Sequence, residues 1–388
     1  MKQRYKIFIY AGAVLVIGLI LYFVWTVFVP KPTIPLNTSN TGTLPVGGST
    51  TGATSSEGGE ISSSTTSLPV LSKISNNDVL AYFIDPQSGD VRYIDPTGQV
   101  WLTNPGKSDT LESSQPVSAI NSLDIYQNNQ KILVSFGNPT APQWAIYDVL
   151  DKTWHSLPSS VAEATWGANQ NQLIGITKNV NSYSLSYIDL SKNPPAYKTI
   201  LNNFYMSDIN MKFSSPNTLI ITEKPSALYK SSVWEINLKN NSMNMVFEPA
   251  SGLYAGLSED GSLIYSYSSG MFSIVNSSTL VPYTLPFVSL PDKCDLSANS
   301  SSSNVYCFSP ENITPQVTTP DDYLEKAFYS IDLLYNYNFA NQNTKTIIIS
   351  GTPGIPMIDA REVNLKNGNI YFVNRYDKSL YKLSLPSQ

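Results

Sequence analysis

Cys294 and Cys307 are the only cysteines in the 388-residue chain, and their spacing supports one kind of chemistry. If residues 293–297 and 304–308 pair as antiparallel strands about the loop 298–303, the two cysteines fall directly opposite each other. Cα atoms at such positions lie about 4.5 to 5.5 Å apart, within reach of a disulfide. The register therefore predicts a Cys294–Cys307 bridge, which would stabilise by about 3 kcal/mol at most for so small a loop. Two buried thiols are the alternative, and a metal site lacks the Cys or His neighbours needed to complete four ligands. His155 is the single histidine, which excludes His-pair zinc motifs. No Gly-x-Ser-x-Gly elbow offers it a serine nucleophile.

Carboxylates occur as the pairs Glu259-Asp260 and Asp321-Asp322 and singly at Asp208, Asp292 and Asp359. A glycoside hydrolase needs two carboxylates at a set separation, and spacing along the chain does not supply one here. Gly351-Thr-Pro-Gly354 is followed by neither lysine nor helix, so it is not a phosphate-binding loop. No catalytic residue, metal ligand or cofactor site emerges, and the expectation is a protein without enzymatic activity or cofactor.

An irregular stretch, 309–326, contains Pro320, Asp321, Asp322, Tyr323 and Glu325. Proline at a first-turn position with acids around it predicts a short helix favoured by its dipole. Loops carried on rigid scaffolds often bear function, which makes these five residues the candidate interaction loop. A packing lid is the competing reading.

The elements that must position these residues are short strands. From Ser67 on, apolar alternation in brief runs is punctuated by Gly, Asn, Asp and Pro, and helical periodicity is nearly absent. The clearest unit is 253–276. There Glu259-Asp260-Gly261 turns one strand into the next, Gly261 being free to take positive φ, and Ser269-Gly270 makes a second turn. Degenerate copies begin near Val79, Leu123, Glu163, Ile209, Lys293 and Glu362. Seven units of about 46 residues match four-stranded propeller blades. Six or eight blades are the neighbouring counts, and a β-sandwich pair is the rival architecture. The last unit shows only three strands, so 68–74 is expected to supply its outer strand and close the ring. The insertion falls between the second strand (305–308) and third strand (328–337) of the sixth unit.

The run Ser258-Glu-Asp-Gly-Ser-Leu-Ile-Tyr265 resembles the Ser-Pro-Asp-Gly-x-x-Ile/Leu-x-Tyr/Phe turn of TolB-like and WD40-like propellers, with Glu259 where those repeats often have proline. The resemblance implies an all-β propeller over 68–388 and says almost nothing of ligand. Sialidase-like propellers use an arginine cluster, whereas this domain has only Arg92, Arg361 and Arg375 and no Asp-box repeat.

Upstream, 7–29 is free of charge and predicts a transmembrane α-helix, since the run covers roughly 35 Å at 1.5 Å per residue. Lys2, Arg4 and Lys6 precede it, so 1–6 is expected in the cytoplasm and the propeller outside. The run is long for a signal peptide and does not end in small residues. Residues 30–67, rich in Ser, Thr, Gly and Pro, read as a disordered linker. Of 24 basic side chains four lie in the first 31 residues, which leaves 20 against 29 acidic ones in the remainder. So acidic a domain argues against nucleic acid as a partner. The expectation is a single-pass, membrane-anchored, extracytoplasmic scaffold for envelope proteins or surface glycans. A propeller-fold glycan hydrolase or lyase is the alternative.

Overall fold

The computed structural model describes residues 70–385 except 86, 114, 127–129, 207 and 216. The helix expected at 7–29 and the linker expected at 30–67 lie outside the described residues. Among the described residues no helix is long and apolar enough to cross a membrane.

Seven antiparallel sheets follow one another along the chain, six of four strands and one of three. The innermost strands are Ala81–Ile84, Ile120–Ile125, Val161–Trp166, Ile209–Ser215, Tyr254–Leu257 and Ala360–Lys366. Central strands such as Leu263–Ser268 and Lys131–Phe136 are buried on both faces, which is why their apolar runs are almost continuous. The buried side chains gather into seven clusters, each lying between neighbouring blades. Phe83, Ile94 and Val100 of the first blade pack on Ile132, Val134 and Tyr147 of the second. Tyr306, Phe308 and Leu334 of the sixth pack on Ile370 and Phe372 of the seventh. The core is therefore a ring of interblade layers.

Turn chemistry carries the corners. Asp260 Oδ1 accepts from the Ser262 backbone N–H at 2.9 Å and from Ser258 Oγ at 2.8 Å. Gly261 has φ of +69°, and a Cβ there would stand 2.5 Å from Ser214 Cα of the preceding blade. Glu259-Asp260 is thus part of a turn, as expected.

Closure follows the expected route. Val70–Lys73 pairs with Ser379–Ser384 in the register Val70 to Ser384 and Lys73 to Tyr381, so the start of the domain supplies the outer strand of its last blade.

The sixth blade departs from expectation. Residues 293–297 do not form a strand; a 3-10 turn at Pro291–Lys293 leads into Cys294, which makes one isolated bridge to Cys307. The segment leaves the ladder after one further bond: the Asp295 backbone N–H donates to Tyr306 O at 2.8 Å, but the Leu296 N–H turns to Val363 O of the seventh blade at 3.0 Å, and side chains follow it. Asp295 Oδ1 accepts from the Leu365 backbone N–H at 2.9 Å, and Ser297 Oγ donates to Leu365 O at 2.8 Å. The opposed register of the cysteines nevertheless holds, and the disulfide is formed. The third strand starts at Asp332, not 328, because Ser330 and Ile331 bond to side chains, Asp359 and Asn312.

Candidate functional site

In a four-stranded meander the first-to-second and third-to-fourth turns lie at one end, and the second-to-third turns and the interblade links at the other. The latter face carries the loops 137–142 and 224–229, the link 203–208 and the long insertion between Asn304–Pro310 and Asp332–Asn338.

The insertion forms one short helix, α1 (Asp321–Leu324), with Pro320 at its N-cap. The five residues singled out in the sequence have different fates. Asp321 reaches across to the fourth blade, where Oδ1 accepts from the Ala227 N–H at 2.8 Å and Oδ2 from Ser226 Oγ at 3.3 Å. Asp322 Oδ2 accepts from the Thr318 N–H at 2.7 Å and stays within the insertion. Pro320 and Tyr323 are buried, and Glu325 alone is well exposed.

Tyr323 faces inward over a buried ion cluster. Lys293 Nζ donates to Asp332 Oδ2 at 2.7 Å, to Asp359 Oδ1 at 2.6 Å and to Ala360 O at 3.0 Å. Arg375 Nη1 meets Asp359 Oδ2 at 3.0 Å, its Nη2 donates to Tyr323 O at 2.9 Å, and its guanidinium stacks 4.0 Å from the Tyr323 ring centroid. Burial raises the Asp332 carboxyl above the usual range, with Lys293 opposing it. This cluster joins the insertion to the sixth and seventh blades. In the sequence Asp292 and Asp359 stand only as isolated acids. Nothing in the local pattern at Lys293, Asp332 or Arg375 announces the others, because the blades bring them together.

Asp292 connects the cluster to the central channel. Tyr323 Oη donates to Asp292 Oδ2 at 3.3 Å, and Asp292 also lines a cavity of about 540 Å³ at the channel mouth. Pro139, Pro142 and Lys224, from the loops of the second and fourth blades, line the same cavity, as do Glu163, Asp208 and Tyr254. Deeper in, Lys212 Nζ pairs with Asp124 Oδ1 at 2.9 Å. Burial, then the nearby Asp208 charge, push the Glu163 carboxyl up to about 7. Glu163 was not singled out in the sequence; a strand position one before Ala164 carries no signal of a channel.

His155 stands apart on an outer strand, exposed, with Nε2 at 3.0 Å from both Asp151 Oδ2 and Thr153 Oγ1. Among the described residues no group of His, Cys, Asp and Glu is arranged to hold a metal.

The face also exposes apolar side chains. Leu228 and Tyr229, on the loop fastened by Asp321, are 77% and 75% exposed. Tyr205 in the neighbouring link is 63% exposed, its ring 4.7 Å from that of Tyr183.

No family model matches the chain, and no curated protein matches it. Among solved structures, the β-propeller domain of Myceliophteria thermophila Cps50 (Swd1) superposes with a TM-score of 0.52 at 8% identity, over 81% of this chain and 99% of that one. The tricorn protease matches at 0.48 and 8% identity, over 81% of this chain and 34% of its own. TolB from Acinetobacter baumannii matches at 0.40 and 13%, over 79% and 63% respectively. The likeness to the Cps50 domain is one of fold, and this chain is a seven-bladed, all-β propeller.

Proposed function

We propose that the protein is a binding or assembly module, held at the outer side of a membrane by 7–29 and presenting the insertion-bearing face to an envelope protein or surface glycan. One observation carries the reading: Leu228 and Tyr229 stand about three-quarters exposed on a loop whose backbone is pinned by Asp321. Large apolar side chains on a fixed loop contribute most to binding when a partner covers them, since little entropy is lost in ordering them. The test is photo-crosslinking in intact cells from position 228, with position 150 as control. Leu150 is equally exposed but sits on a third-to-fourth-strand turn at the opposite end. Capture from 228 and none from 150 supports the reading; equal capture overturns it.

A second reading, a glycan hydrolase or lyase, is favoured by one specific observation. Glu163 and Asp208 line one cavity, and a carboxyl shifted up to about 7 is suited to general-acid work beside an ionised partner. Release of reducing ends from cell-surface polysaccharide, abolished by Glu163→Gln, would favour it over binding alone.

A further inference from the structure

We infer that Lys293 and Asp332 condense into an intramolecular amide, with Asp359 moving the protons and water as the only product. The modification needs no partner and is independent of what the exposed face binds.

The three side chains meet out of reach of solvent, each fully buried. Lys293 Nζ lies 2.7 Å from Asp332 Oδ2 and 2.6 Å from Asp359 Oδ1, and the Tyr323 ring roofs it with its centroid 4.9 Å away. An amine and a carboxyl held in contact react at an effective concentration that no free pair attains. Holding two such ions out of water is costly, and a neutral amide removes both charges. Arg375 and Asp359 then remain as a one-to-one pair.

The two carboxyls are not equivalent. Asp359 accepts from four donors: Lys293 Nζ, Arg375 Nη1 at 3.0 Å, and the Ser330 hydroxyl and N–H at 2.9 and 3.1 Å. Asp332 Oδ2 accepts from the lysine and from the Ala360 N–H at 2.8 Å. Its Oδ1 is buried without a hydrogen-bond partner, since the hydroxyl of the nearby Ser330 turns to Asp359. Burial, opposed by Lys293, also favours the protonated form of Asp332, which is the form an amine attacks. Asp332 is therefore the electrophile and Asp359 the base. The Ala360 N–H stabilises the negative charge that develops on Oδ2, and Oδ1 is the leaving oxygen.

The step balances without an oxidant or a second reactant. The lysine ammonium gives one proton to Asp332 Oδ1. As Nζ bonds to Asp332 Cγ, a second proton passes through Asp359 to Oδ1, the Cγ–Oδ1 bond breaks, and water leaves. Nζ keeps one hydrogen as the amide N–H. The new bond ties the turn Pro291–Lys293 to the first residue of the strand Asp332–Asn338, across the base of the insertion.

The test is a fragment map of the full chain, taken up in mild detergent, reduced and digested with trypsin. Fragment 327–345 should remain joined to the one carrying residue 293, cleavage after Lys293 should be lost, and the joined product should be one water lighter than its parts. Lys293→Arg should release 327–345 alone. Asp332→Asn should still join, losing ammonia in place of water. Asp359→Asn, followed from the end of cell-free synthesis, should join at least about a hundredfold more slowly, as expected when acid–base assistance is removed. Free 327–345 from the parent chain, a linkage that maps to Asp359, or a linkage that survives Lys293→Arg overturns the inference. Joining of Asp359→Asn at the parent rate overturns the role given to Asp359. The map of the parent chain decides whether the bond exists, whichever variants fold.

Discussion

The backbone N–H of Ala227 donates to Asp321 Oδ1 over 2.8 Å, fastening a loop of the fourth blade to a helix inserted in the sixth. Removing the acceptor should free the loop without touching the core. Asp321→Ala is expected to cost on the order of 1 to 2 kcal/mol, as for a lost charged hydrogen bond. It should speed amide exchange at 226–229, with other loops unchanged. Unaltered exchange there would show that the loop is held by something else.

Lys293 neutralises two carboxylates that have no access to water. Lys293→Met leaves Asp332 and Asp359 facing each other, with only Arg375 in compensation, and breaking such a pair costs about 3 to 5 kcal/mol. The denaturant midpoint should drop accordingly with an unchanged slope. A drop of less than about 1 kcal/mol would mean that the carboxyls take up protons at little cost.

The disulfide between two fully buried sulfurs closes a loop with a sequence separation of 13. Cys294→Ser/Cys307→Ser should lose about 2 to 3 kcal/mol. Reductant should lower the midpoint of the parent protein but leave that of the variant unmoved. Equal reductant sensitivity in both would exclude the bridge.

Glu163 gives stability a pH dependence of defined sign. Its carboxyl moves from 4.5 to about 7 in the folded protein. The native state therefore holds the proton more tightly, and this contribution, complete below the unfolded value, is lost as pH rises through the folded one. Glu163→Gln should match the parent near pH 4 and exceed it by on the order of 1 to 3 kcal/mol near pH 8. Parallel stability profiles would sink the assignment.

The topology expected from 7–29 is tested by protease added to intact cells. Loss of the propeller from intact cells supports an external domain, and digestion only after membrane disruption rejects it.

What was legible in the sequence was local. Asp260-Gly261 announces its turn because the carboxylate bonds two residues on and the glycine needs positive φ. The cysteine register was legible because an antiparallel pair around a short loop fixes which residues oppose each other, even though residues 293–297 turned out not to be a strand. Closure by the first strand followed from a last blade one strand short. The channel was not legible. Glu163 and Asp208 come from separate blades, and Lys293, Asp332, Asp359 and Arg375 meet only once two blades and an insertion have packed. Tyr323 shows the limit well: its acidic surroundings read equally as an interaction loop or a packing lid, and only the folded chain makes its ring the partner of a buried guanidinium.

The closing strand has a mechanical consequence. Any pull on the chain ahead of Val70 enters the domain through Val70–Lys73, four residues held along Ser379–Ser384. Unseating them would leave blade seven with a bare edge. A pull of that kind therefore loads the outer edge of the last blade first, while the first and last blades stay joined besides by the packing of Tyr82, Val91 and Tyr93 on Tyr371, Val373 and Leu380.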